Sequence, residues 1–188
     1  ALMSRGLGDV YKRQMLHYAD IPYEYKMVWD HYGSSWAEVK KDIIFNRLPI
    51  LIINEDKYLW QSNTIIRYLS NLTKTKPSDE FQLAYCDAVF ESTHEMFSPL
   101  NPTINMTFGE KYNSNKKKLL EDILPNSLNN FEKLLQNSSG NFFIGNDPFY
   151  CDFNAYHHFS MCLILDKNIF CLLYTSPSPL DMSATRIP

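Results

Sequence analysis

The chain has no long apolar run, no cysteine motif and no strong charge of either sign, and each absence removes a class of protein. Its purely apolar stretches are a few residues long, far short of the roughly 20 that a membrane helix needs. No membrane partner is expected. The formal net charge is −3, and no block of like charge stands out beyond Lys116-Lys117-Lys118, so nucleic acid is a poor partner. The four cysteines, Cys86, Cys151, Cys162 and Cys171, show no C-x-x-C or metal-ligand spacing. They are expected as buried thiols in a reducing compartment, the cytoplasm, with no metal site. There is no internal repeat.

The two ends differ from the middle. Residues 1–14, "ALMSRGLGDVYKRQ", contain no secretory h-region, and the three sequons at Asn71, Asn105 and Asn137 therefore receive no role. Residues 171–188, "CLLYTSPSPLDMSATRIP", are rich in Ser, Pro and Thr without an apolar period. Both ends resemble translated adapter sequence of the kind found in transcript-derived proteins. The expectation is that both are foreign to the fold, and that the natural protein is longer at each end. A disordered tail is the other reading of residues 171–188.

What remains is 45% hydrophobic over the whole chain, enough for one domain or two small ones. Residues 15–19 read as the end of a helix. Ile21 to Trp29 alternates partly and predicts a strand. Trp36, Val39 and Ile43 stand at helical spacing after a possible Ser cap. "ILII" at 50–53 is a continuous apolar run, as in a buried strand, and Asn54 to Lys57 is turn chemistry leading back through Tyr58-Leu59-Trp60, a hairpin. Ser62 or Asn63 then caps a helix whose face is Ile65, Ile66, Tyr68 and Leu69. Residues 74–79 form a polar linker, so the first domain is expected at 15–73 and an all-helical one at 80–170. In the latter, Phe81, Tyr85, Ala88 or Val89, Ser92 and Met96 predict one helix. Leu120, Leu124, Leu128, Phe131 and Leu135 predict another, with Pro125 starting or kinking it. A last helix begins near Cys151-Asp152.

The candidate site lies in the first domain. Pro49 at the start of a buried strand is either plain strand entry or a cis-proline. In the second case it turns the Leu48 backbone outward to pair with an extended peptide. Ser62 as helix N-cap is compatible with binding, because a helix N-terminus offers N–H groups and a positive dipole end to a carboxylate. Gln61 can add an amide hydrogen bond. Trp36 and Lys40, four apart on one helical face, can hold a second carboxylate. Arg47, His94 and Glu95 read from spacing alone as solvated positions.

The stretches "DIPYEYKMV", "WAEVKKDIIFNRLPIL", "LWQSNTIIRYLS", "CDAVFE" and "FFIGNDPFYCDF" resemble the cytosolic glutathione S-transferases, nearest the sigma class with its prostaglandin D synthases and S-crystallins. The resemblance covers roughly residues 15–160. It implies an α/β thioredoxin-like N-terminal domain, with its first strand missing here, followed by an all-α C-terminal domain. It implies glutathione as co-substrate, a small hydrophobic electrophile as second substrate, a homodimer and a detoxification role. It also implies residue roles. Pro49 is the cis-proline, and Leu48 the backbone partner of the cysteinyl unit. Gln61 and Ser62 hold the γ-glutamyl end. Trp36, Lys40 and Arg47 meet the glycine carboxylate, and Glu95 reaches the γ-glutamyl amine of the other subunit. The class's activating tyrosine falls near Leu2, where none stands, and the helix-1 arginine is absent too, so no catalytic residue is assigned. The acid of the last helix, Asp152, is present, but Phe149 replaces the Ser/Thr of its capping box. The alternative reading is a non-catalytic relative, a crystallin-like structural protein or a ligand carrier.

Overall fold

The computed structural model describes the backbone of Leu2–Ser4 and residues 10–170. The chain divides into two compact units, residues 1–76 and 77–188.

The first unit is built on a four-stranded sheet ordered β2-β1-β3-β4. Strand β1 is Leu2–Ser4, β2 Tyr25–Met27, β3 Ile50–Ile53 and β4 Lys57–Trp60. β1 runs parallel to β2 and antiparallel to β3, with Leu2 opposite Tyr25 on one side and Leu51 on the other. The expected loss of the first strand is therefore overturned. Three residues of extended backbone close the ladder between β2 and β3, and main-chain pairing of that kind leaves little pattern in side chains. Helix α1, Val10–Tyr18, also begins inside the segment expected to stand outside the fold, and it buries Tyr11, Lys12, Met15 and Leu16.

The strand expected from Ile21 to Trp29 is shorter than its alternation suggests. After β2 the chain turns at once into α2, Val28–Tyr32, with Val28 fully buried. Gly33 closes α2 at φ 65°, and its N–H donates to the Trp29 carbonyl. Helix α3 is a single turn, Trp36–Val39, followed by 3-10 turns at Lys40–Asp42 and Ile44–Asn46. The hairpin forms as expected. Ile50 pairs with Trp60 and Ile53 with Lys57, and Asn54 and Glu55 take positive φ in the turn. Helix α4, Ser62–Leu72, buries Ile65, Ile66 and Leu69.

The regular structure of the second unit is all helical among its described residues, with a loop over residues 137–149. Helix α5 is Glu80–Met96, α6 Leu100–Met106, α7 Gly109–Lys118, α8 Leu124–Gln136 and α9 Tyr150–Leu165. The buried face of α5 is Cys86, Val89, Phe90 and Thr93, not the face through Phe81, which is 78% exposed. Both stripes have helical period, and packing against α9 selects the second. A π-helical turn at Leu119–Ile123 joins α7 to α8, and Pro125 sits in the first turn of α8. Its missing N–H falls where the π-helical turn gives way to α8, as expected of a proline that interrupts the helical ladder. Phe97, Phe131, Phe143 and Phe159 meet ring to ring at centroid separations of 5.6 to 5.9 Å in the core.

At the start of α9, Asp152 is buried, and its two carboxylate oxygens accept from Phe149 N–H (2.9 Å) and Phe143 N–H (3.0 Å). The acid half of the capping box is thus made. The phenyl of Phe149 has no acceptor to make the other half.

Candidate functional site

The β3–β4 register assembles the site. Ile50 stands opposite Trp60; Pro49 precedes the one, and Gln61, where β4 gives way to α4, follows the other. The Leu48–Pro49 peptide bond is cis, Pro49 is buried and Leu48 is half-buried. Leu48 packs on a small core of Ile43, Ile50 and Ile52, together with Trp36, Val39 and Trp60. Trp36 and Leu48 are thereby held by one cluster, although twelve positions separate them in sequence.

Gln61 is the N-cap of α4, with φ 70° and ψ 124° and no side-chain capping bond. Its carbonyl accepts the first helical bond from Ile65 N–H at 3.0 Å. The expectation that Ser62 or Asn63 caps the helix is corrected: both lie inside its first turn. A positive φ is costly for a residue with a Cβ, and it recurs where the surroundings dictate the backbone, often at ligand sites. The Gln61 side chain is left exposed at the end of a helix whose dipole favours an anion.

Ser62 Oγ accepts from Lys12 Nζ at 3.3 Å, and the same ammonium reaches Tyr11 OH at 3.2 Å and lies over its ring, 4.3 Å from the centroid. Lys12 is 0% exposed. An ammonium can only donate, so Ser62 is the acceptor and its own proton is free to serve a ligand. The reading of residues 36–62 missed this lysine because it lay in the segment set aside. The available signal was its spacing: Lys12, Met15 and Leu16 share one helical face.

Trp36 opens α3, and Lys40 N–H donates to the Trp36 carbonyl, so the expected four-residue relation holds although the helix ends there. Lys40 and Arg47 are exposed. Glu95 is exposed on α5 of the second unit. The Cys86, Cys151 and Cys162 thiols are free and buried, and no group of acids, histidines and cysteines that could hold a metal ion occurs among the described residues. No helix among them is long and apolar enough to cross a membrane.

Residues 12–71 match the glutathione S-transferase N-terminal domain, and residues 94–173 match the C-terminal domain of the same family. The chain is 27% identical over 135 residues to "Glutathione S-transferase P" of Caenorhabditis elegans, covering 71% of this chain and 62% of that one. It is 33% identical over 132 residues to a glutathione S-transferase of Plasmodium yoelii yoelii, covering 66% and 60%. The chain thus spans little more than three-fifths of the length of these relatives. Among solved structures, the Pi-class glutathione S-transferase of Onchocerca volvulus superposes with a TM-score of 0.80 at 23% identity, over 99% of this chain and 86% of that one. Prostaglandin synthase D of Nilaparvata lugens superposes at 0.79 with 18% identity, over 99% and 90%. The chain carries the two domains of the glutathione S-transferase family and has that family's fold. Glutathione is the co-substrate of its homologues.

Proposed function

We propose that this chain belongs to a sigma-like glutathione transferase, cytoplasmic and homodimeric. It binds glutathione and delivers the thiolate to a small hydrophobic electrophile or isomerises a prostaglandin endoperoxide. The observation that supports the reading is the β3–β4 pairing of Ile50 with Trp60, which Pro49, after a cis peptide bond, precedes on one strand and Gln61, the N-cap of α4, follows on the other.

The roles follow from the chemistry of each group. The γ-glutamyl α-carboxylate takes the N-terminal end of α4, with the Ser62 hydroxyl and the Gln61 amide as donors. The Leu48 main chain pairs with the cysteinyl unit as one strand adds to another. The Trp36 indole N–H, Lys40 and Arg47 serve the glycine carboxylate. Glu95 of the opposite subunit accepts from the γ-glutamyl ammonium. Conjugation then needs the thiol proton removed, so that sulfur attacks the electrophilic carbon as thiolate. The family favours the thiolate with a tyrosine hydroxyl, and in this chain that position falls near Leu2, where no tyrosine stands. The chain as it stands is accordingly a binder with negligible turnover. The sigma-like class rests on the quoted motifs and on fold neighbours that include prostaglandin synthase D. The relatives with a class in their names are of class P.

Two measurements test the reading. The chain should be retained on immobilised glutathione, and Gln61→Ala with Ser62→Ala should abolish retention; unchanged retention sinks the assignment of both residues. Conjugation of glutathione to a chloronitrobenzene should be negligible. Turnover comparable to that of an intact transferase would contradict the role given to the absent tyrosine.

A further inference from the structure

The first unit has an open pocket of about 630 Å³ that lies largely outside the proposed glutathione site. Its floor is the fully buried Val28, and two indoles, Trp29 and Trp36, line it. Gly33 leaves one side clear, since a Cβ there would meet nothing within 4 Å. At the rim stands Glu38, whose carboxylate accepts from Ser35 N–H at 2.8 Å and Ser35 Oγ at 2.7 Å. Those bonds, the hydroxyl's first, lower the Glu38 pKa and keep it ionised. Among the described residues no lysine, arginine or histidine lines the pocket. Trp36 is the one described residue it shares with the proposed glutathione site. Trp29 stands 55% exposed, a large indole face presented to solvent and used by nothing else described above.

Indole faces attract cations through their quadrupole, Trp most strongly, and the preference grows when the cation is weakly hydrated. A fixed carboxylate at the rim adds attraction for the same sign, and without a basic residue an anion finds no partner. The volume falls within the range of small-molecule sites. We propose that the pocket between α2 and α3 binds an organic cation of the quaternary-ammonium class, its alkyl groups against Trp29 and Trp36 and its charge facing Glu38.

The test uses the full chain and choline as probe, at constant ionic strength, followed by indole fluorescence and by broadening of the choline methyl resonance. Its neutral counterpart is 3,3-dimethylbutan-1-ol, which has the same shape without the charge. Choline should bind saturably with a Kd of about a millimolar, and the alcohol should bind at least about five-fold more weakly. Trp29→Leu and Glu38→Gln should each weaken choline about five-fold or more while leaving the far-ultraviolet circular dichroism and retention on glutathione unchanged. Equal binding of choline and the alcohol overturns the proposal, as does absence of saturation in the millimolar range. So does undiminished choline affinity in both variants.

Discussion

At the scale of single residues, the site depends on how one hydroxyl is oriented. Ser62 takes a hydrogen bond from the buried Lys12 ammonium, which commits its lone pair inward and its proton outward. A hydrogen bond to a charged ligand group contributes about 1.5–3 kcal/mol. Ser62→Ala alone should therefore lower glutathione affinity by roughly 10- to 100-fold. Equilibrium titration separates this loss from unfolding, since the substitution removes one oxygen from a half-buried position. Gln61 is exposed, so its single substitution should cost less. What residue types alone conveyed here was the pair Gln61-Ser62 and its chemistry. The positive φ of Gln61 and the ammonium behind Ser62 were not legible, because both depend on chain brought in from elsewhere.

At the scale of elements, α9 shows how a helix start can bind a loop. Asp152 ties together its own first turn and the 137–149 segment by accepting two N–H groups, of Phe149 and Phe143. Burial pushes its carboxyl up to about 6, against those hydrogen bonds, which pull the other way. Asp152→Ala strands both donors, at about 1–3 kcal/mol each. The variant should lose at least about 2 kcal/mol in urea unfolding; a loss below about 0.5 kcal/mol would show that the bonds do not hold the loop. The spacing of Asp152 from Phe149 announced a capping acid, but its second partner, nine positions back, did not show in the sequence. The same contrast explains α5. A 3.6-residue period is satisfied by Phe81-Tyr85-Val89 and by Cys86-Val89-Phe90-Thr93 alike. Period identifies a helix; which stripe is buried follows from the neighbouring helix.

At the scale of the molecule, stability against acid has a traceable contributor. His158 Nδ1 lies 2.8 Å from the Asn154 carbonyl, and burial, with His94 nearby, lowers its pKa from 6.5 to about 4. The unfolded chain then binds a proton that the folded chain refuses, so stability from this group is full above 6.5 and declines as pH falls toward 4. Asp152 acts in the opposite sense. Its folded value of about 6 exceeds the ordinary 3.8, so its proton uptake favours the folded state in acid, and its contribution declines as pH rises from about 4 to about 6. The two offset one another across that window. Comparing wild type with His158→Gln isolates the imidazole. On going from pH 7 to pH 4.5, the variant should gain about 2–3 kcal/mol relative to wild type in urea unfolding. A difference independent of pH would show that His158 titrates normally in the fold.

The sequence by itself determined the two textures, the β3–β4 hairpin and the helix after Gln61. These depend on local period and on turn residues, which act within a few positions. Tertiary structure alone decided the rest. It closed the sheet with Leu2–Ser4, shortened the strand at Ile21–Trp29 to three residues, and chose the buried face of α5. It also brought Lys12 to Ser62, fifty positions away, and set Trp29 and Trp36 around one pocket. The physical reason is common to all five. Main-chain pairing and side-chain contact between distant segments are rewarded only once those segments meet, and a single sequence carries no separate mark of the meeting.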